Sequence, residues 1–164
     1  MDLIMDKKSN TGFSVIEMMV VVAIIGILVM VAIPSSIGRI MKEQVVAAIP
    51  LSDTAKEPIA AQWKTLKTLP DDNTETGLPT PDKVVSNFIR KLEVTNGVIH
   101  MTFGNKAHVQ LKDKILSIRP AVITESNVVP IAWVCGNAKA PDKMTVLGSN
   151  NTNIEEKYLP FACR

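Results

Sequence analysis

Glu17 is the residue whose chemistry most needs a partner. From Phe13 to Ile33 the sequence runs for 21 residues in which only Ser14 and Glu17 are polar. A lone carboxylate one helical turn inside such a run costs up to ~3 kcal/mol in lipid and calls for a counter-ion. Two cysteines, Cys135 and Cys163, lie in the last thirty residues. They read either as two buried thiols or, if the chain is exported to an oxidising compartment, as a disulfide. His100 and His108 fall on or near strand-like segments, lack partners at zinc-ligand spacing, and read as surface or edge residues. Asp71, Asp72 and Glu75 sit in a breaker-rich stretch where a calcium ion is conceivable, but a solvated acidic loop is the simpler reading. No metal and no cofactor is therefore expected. Nothing places a nucleophile beside a base, or paired carboxylates in a pocket-forming context, so no enzyme is expected either.

These residues are positioned by an uneven chain. At about 1.5 Å per residue, a helix over 13–33 is roughly 31 Å long, enough for a bilayer core of about 30 Å. A short polar stretch with Lys7 and Lys8 precedes it. A secretory signal peptide would place its cleavage site after the apolar region. Here the plausible processing point, Gly12, lies before it, so a cut would leave the apolar helix in place with Phe13 as the new terminus. The residues after 33 have an ordinary soluble composition, enough for one small domain and too few for two. Lys plus Arg exceed Asp plus Glu by two and aromatics make up 4%. Neither value suits a dedicated nucleic-acid binder, and Lys139 and Lys143 read as solubilising charges.

After Pro34 the pattern becomes amphipathic. Ile37, Ile40, Met41, Val45 and Ala48, then Leu51, Ala55, Ile59, Trp63 and Leu66, recur at helical spacing. One helix from Phe13 to about Leu66 is expected, bent near Pro34, Pro50 and Pro58, with Trp63 in the core. Leu69 to Asp82, dense in Pro, Gly, Asn and Asp, reads as a surface connection. Ile89–Thr95 and Val98–Phe103 flank Asn96-Gly97, a type I′ hairpin signal. The second strand alternates, with Val98, His100 and Thr102 on one side and Ile99, Met101 and Phe103 on the other. Ala107–Leu111 could extend or pair briefly, and Ile115–Arg119 and Ile131–Cys135 complete a four-stranded antiparallel meander laid across the helix. From Cys135 onward periodicity is lost among Gly136, Pro141, Gly148, Asn150, Asn151 and Asn153. Asn150-Asn151-Thr152 also fits a glycosylation sequon, a short and weak pattern.

The N-terminal residues carry a resemblance. Gly12-Phe13-Ser14-Val15-Ile16-Glu17-Met18-Met19-Val20-Val21-Val22-Ala23-Ile24-Ile25-Gly26-Ile27-Leu28, closing at Ile33-Pro34, resembles the class motif of type IVa prepilins. Ser14 stands where threonine is commoner. Trp133-Val134-Cys135-Gly136 and Tyr158-Leu159-Pro160-Phe161-Ala162-Cys163-Arg164 resemble the disulfide-bounded D-region of type IVa pilins, so the likeness covers nearly the whole chain. It implies an α+β pilin fold: a long N-terminal helix whose C-terminal half packs on a four-stranded antiparallel sheet, with a disulfide-bounded C-terminal loop. It implies a leader at 1–12, an assembly or transmembrane half-helix at 13–34 and a globular domain at 35–164. That domain comprises a helix second half at 35–66, an αβ-loop at 67–88, a sheet at 89–135 and a D-region at 135–164.

By the same resemblance a prepilin peptidase cuts between Gly12 and Phe13 and methylates the new amine. Gly26 and Pro34 weaken the helix so that it can unwind on packing into a fibre, and Cys135 and Cys163 are joined. Such a bridge would close 27 intervening residues and restrict the unfolded chain by roughly 3.5 kcal/mol. The amine on Phe13 and the Glu17 carboxylate are the charges that remain to be paired, within a subunit or between staggered copies. Two unit charges about 4 Å apart attract by about 4 kcal/mol at an effective dielectric of 20. The implied function is the major structural subunit of a type IV pilus, homopolymeric, held in the inner membrane before assembly and extracellular afterwards. It would depend on inner-membrane assembly machinery and serve adhesion, twitching motility and DNA uptake, although nothing here supports a nucleic-acid partner. A minor pilin, a type II secretion pseudopilin and an anchored exported binding domain are the competing readings. Major pseudopilins usually lack the terminal cysteine pair, which favours the pilin.

Overall fold

The computed structural model describes residues 12–126 and 128–164, with the backbone alone described for 31–35. The chain divides into two units, one ending at Ile37 and the other spanning Gly38–Arg164.

Helix α1, Val15–Ala48, starts in the first unit and ends in the second. The Ser14 carbonyl opens it by accepting the N–H groups of Glu17 (3.1 Å) and Met18 (3.2 Å). Glu17 lies in the first turn, where the positive end of the helix dipole favours an anion. The described apolar side chains from Val15 to Met30 span about 24 Å at 1.5 Å per residue. Among the described residues, no helix is long and apolar enough to cross a membrane.

In the second unit the expected single helix is broken. α1 stops at Ala48, a 3-10 turn occupies Ile49–Ser52, and α2 runs Asp53–Leu66. Pro50 explains the break, because it lacks an N–H and disfavours helical geometry in the residue before it. Ser52 Oγ then donates to the Ile49 carbonyl at 2.7 Å, satisfying a group the break would strand. Pro58 lies inside α2 without ending it, and α2 closes on Lys67, whose left-handed φ of 57° lets its N–H reach the Trp63 carbonyl.

The strands are β1 (Ile89–Thr95), β2 (Val98–Phe103), β3 (Ile115–Val122), β4 (Ala132–Cys135) and β5 (Thr145–Val146). β1 to β4 form the expected antiparallel meander in that order, and β5 is an unanticipated addition pairing with β3. Asn96 and Gly97 both take positive φ, 49° and 75°, as a type I′ turn demands. The 107–111 segment forms turns rather than a strand, with Ala107 and Leu111 buried in the core. Met41, Val45 and Ala48 of α1 and Ala55, Ile59 and Trp63 of α2 are buried, as are Leu92, Val94, Ile99, Met101, Phe103, Leu116 and Ile118 of the sheet. The helical stripe lies on this alternating set, and each fully buried large side chain contributes about 1.5–3 kcal/mol.

All six β2 residues are buried, so both faces of the central sheet are covered. His100, expected at the surface or an edge, is 7% exposed. The strand pattern puts it on the face opposite Ile99, Met101 and Phe103; what the pattern does not carry is the C-terminal arm that roofs that face.

Candidate functional site

Two regions present functional chemistry, and each is built by a different local device. The first is the exposed start of α1. Phe13, Val15, Ile16, Met19 and Met30 are among its strongly exposed apolar side chains, and the same stretch carries Glu17. Isolated exposed apolar residues are ordinary, but a continuous apolar helix surface is a docking surface or a membrane surface. Glu17 makes no ion pair with any described residue. A carboxylate on such a face can accept a charged hydrogen bond or an ion pair, and burying it without one would be costly.

The second region is the outer face of the sheet and its C-terminal arm. Cys135 and Cys163 are joined, S–S 2.00 Å with Cα atoms 4.5 Å apart. Gly136 makes the close approach possible: its φ is +55°, and a Cβ there would stand 2.6 Å from the Cys163 carbonyl oxygen. That carbonyl accepts the Asn137 N–H at 3.0 Å. The Gly136 carbonyl in turn accepts from Arg119 Nη2 (3.0 Å) and Asn150 Nδ2 (3.1 Å).

The arm does not depend on the bridge alone. β4 pairs with β3 only over Ile118–Ala121, so the first residues of β3 need other partners for their free edge. The arm supplies them. Asn153 Oδ1 accepts the Ile115 N–H at 2.7 Å and the Asn153 N–H donates back to the Ile115 carbonyl at 3.2 Å. Thr152 Oγ1 accepts the Ser117 N–H at 3.0 Å, and the Ser117 carbonyl takes the Gly136 N–H at 2.9 Å. Ile154 and Leu159 are buried beneath.

The opposite edge of the sheet is closed by the same means. Asn73, in the connection after α2, is buried. Its Oδ1 accepts the Val94 N–H at 2.7 Å, while Nδ2 donates to the Leu92 carbonyl at 3.0 Å and the Pro79 carbonyl at 3.1 Å. One amide side chain thus substitutes for a neighbouring strand along β1. The loop carboxylates serve the loop itself. Asp72 Oδ1 accepts the N–H groups of Thr74 and Glu75, and Glu75 Oε2 accepts the Asp71 N–H. Among the described residues no group of three or more His, Cys, Asp or Glu could hold a metal ion.

Comparison with known proteins now joins this geometry. A profile of the pilin family, described as a bacterial filament protein, matches residues 42–164, and a prokaryotic N-terminal methylation motif matches residues 7–33. This chain belongs to the pilin family. The pilin is 31% identical over 159 residues to the type IV major pilin protein PilE1 of Neisseria gonorrhoeae, covering 93% of this chain and 86% of the relative. It is 30% identical over 171 residues to the type IV major alpha-pilin of Moraxella bovis, covering 95% and 98% of the two chains. It is 27% identical to the fimbrial protein EcpC of Eikenella corrodens, covering 96% and 93%. The family is one of structural subunits rather than enzymes.

The structure of the pilin places Phe13 two residues before the start of α1, Glu17 in its first turn and Gly26 and Pro34 within its span. It joins Cys135 to Cys163. Residues 1–11 of the expected leader lie outside the described residues. Asn73, Ser117, Thr152 and Asn153 were not singled out from the sequence. Their types, Asn, Ser and Thr in turn-rich surroundings, are the available signal, but nothing in the sequence says which backbone groups they would reach. The Asn150 amide of the sequon is committed to Gly136 and to Asn137 Oδ1 at 3.0 Å.

Proposed function

We propose that this pilin is the structural subunit of a type IV pilus that polymerises through the apolar start of α1. The observation that carries the reading is a continuous exposed apolar helix face bearing one carboxylate, Glu17, within the matched methylation motif. In this reading a prepilin peptidase cuts between Gly12 and Phe13 and methylates the Phe13 amine. The subunit is held in the inner membrane by the 13–33 run and is then drawn by the assembly machinery into an extracellular fibre. Glu17 meets the Phe13 amine of a neighbouring copy, which fixes the stagger as well as adding attraction, because an unpaired charge in an apolar bundle is strongly disfavoured. Gly26 and Pro34 lower helix stability between them, by roughly 1 kcal/mol for the glycine, and allow that segment to unwind on packing. The relatives named as major pilins favour the abundant shaft subunit over a minor pilin or a pseudopilin. Adhesion and twitching motility follow from such a fibre.

The test is Glu17→Ala, with Glu17→Gln as the isosteric partner. Both variants should insert in the membrane at wild-type levels while sheared filament yield falls at least tenfold. Normal filament yield from either variant would refute the pairing.

A further inference from the structure

His100 occupies the middle of β2, nearly closed off from solvent. Its Nδ1 lies 2.9 Å from Oγ of Ser117, the residue directly opposite on β3. Ser117, itself fully buried, is also the attachment point of the arm. Its Oγ accepts the Asn151 N–H at 2.9 Å, and its N–H donates to Thr152 Oγ1 at 3.0 Å. A hydroxyl offers one proton and two lone pairs. With one lone pair occupied by the Asn151 N–H, a neutral imidazole that accepts the hydroxyl proton at Nδ1 completes the set and leaves the ring proton on Nε2. A protonated ring has no acceptor atom. It must donate from Nδ1, so the hydroxyl has to accept twice and its own buried proton loses its acceptor. That cost is relieved when the covering Asn151–Thr152 segment opens and lets water reach Ser117.

We propose that His100 is a proton-operated latch on the C-terminal arm: the neutral ring ties Ser117 to the Asn151–Thr152 segment, and the protonated ring releases that segment from β3. A cleft of about 320 Å³, lined in part by Lys91, Glu93, His100, Ser149 and Asn151, leads from solvent to the ring and gives the proton a route. Among the described residues, the charged groups facing the ring come from β1. Glu93 stands opposite His100 in the strand register and favours the charged ring; Lys91, paired with Glu93 at 2.9 Å, disfavours it. Ser117 of β3 and Ser149 and Asn151 of the arm do not titrate. Burial is the strongest influence and holds the ring below its ordinary value of 6.5, so release belongs to mildly acidic conditions. The disulfide and the Ile115–Asn153 pair stay in place, which confines the opening to one short segment. With one proton involved, the opening equilibrium can rise by at most tenfold per pH unit.

Hydrogen exchange on the full chain in detergent micelles tests this, with rates corrected for the intrinsic pH dependence of amide chemistry. Between about pH 7.5 and about pH 5, protection of the 148–153 segment should fall at least threefold in the wild type. In His100→Asn, which keeps an acceptor near the Nδ1 position and cannot titrate, it should not change. The β1–β2 hairpin should stay protected throughout. Unchanged wild-type protection, or an equal loss in His100→Asn, would overturn the latch. If that variant does not fold, wild-type NMR decides. A His100 ring titration that shares its midpoint with the Asn151 amide shift supports release, and a ring that titrates while the Asn151 amide stays still refutes it.

Discussion

Replacing Asn73 with Ala should be among the most damaging single changes in the globular unit, although the residue sits in a connecting loop. The side chain makes three hydrogen bonds, and two of them reach main-chain groups of fully or almost fully buried residues, the Val94 N–H and the Leu92 carbonyl. Removing it leaves both β1 groups without a partner. An orphaned buried backbone group costs about 1–3 kcal/mol. Two of them, with a smaller loss at the part-buried Pro79 carbonyl, give an expected destabilisation of about 4 kcal/mol. For a unit of this size that corresponds to a fall in Tm of about 15 °C. The assay is reversible unfolding of the full chain in detergent, followed by circular dichroism. Asn73→Asp sharpens the test. It keeps an acceptor for the Val94 N–H but turns a carboxylate oxygen towards two carbonyls, so its defect should be large at neutral pH and shrink in acid, where the protonated form can donate again. A loss of about 0.5 kcal/mol or less for Asn73→Ala, the range of an ordinary surface change, would refute the claim that this amide closes the sheet edge.

Three other outcomes are expected. Cys163→Ser should lower stability by about 3 kcal/mol yet keep part of the arm docked through β5, Ile154 and Leu159, so hydrogen exchange should rise more at 155–164 than at Thr145–Val146. Gly136→Ala places a Cβ against the Cys163 carbonyl in a left-handed conformation, and an unfolding curve should show a loss of about 2–4 kcal/mol. Stability should also fall with acid because of His100. Its folded-state pKa is depressed, so the unfolded chain binds the proton more readily; the contribution is complete above pH 6.5 and is lost as pH drops through the lower folded value. His100→Asn should remove that part of the pH dependence, which denaturant titrations at a series of pH values would reveal.

The elements that local chemistry specifies were legible in the sequence. Asn96-Gly97 announces its hairpin because few other dipeptides tolerate two successive positive φ angles, and the strands it joins, Ile89–Thr95 and the alternating Val98–Phe103, have the expected bounds. The buried stripe through Met41, Val45, Ala55, Ile59 and Trp63 was equally plain from its spacing. From the sequence Pro50 implies a bend, whereas it divides two helices; a missing N–H is visible in sequence, but how far the chain departs before helix resumes is not. The sheet edges were illegible for a physical reason. Asn73 and Asn153 act by imitating the backbone of an absent strand, and whether an Asn does this or faces water depends on contacts distant in sequence. His100 changed from an expected edge residue to a buried one because its cover, the 148–153 segment, has no periodicity of its own.

The same limit applies to the start of α1: Glu17 points to a need for a counter-ion, and in the proposed pairing that partner is the Phe13 amine of another copy. The most direct measurement is therefore on the polymer: intact mass and N-terminal sequencing of subunits from filaments sheared off cells. A chain beginning at Phe13 and heavier by one methyl group provides the amine that Glu17 requires. Fibre subunits that still carry residues 1–12 would contradict the account, because Phe13 would then have no free amine to pair.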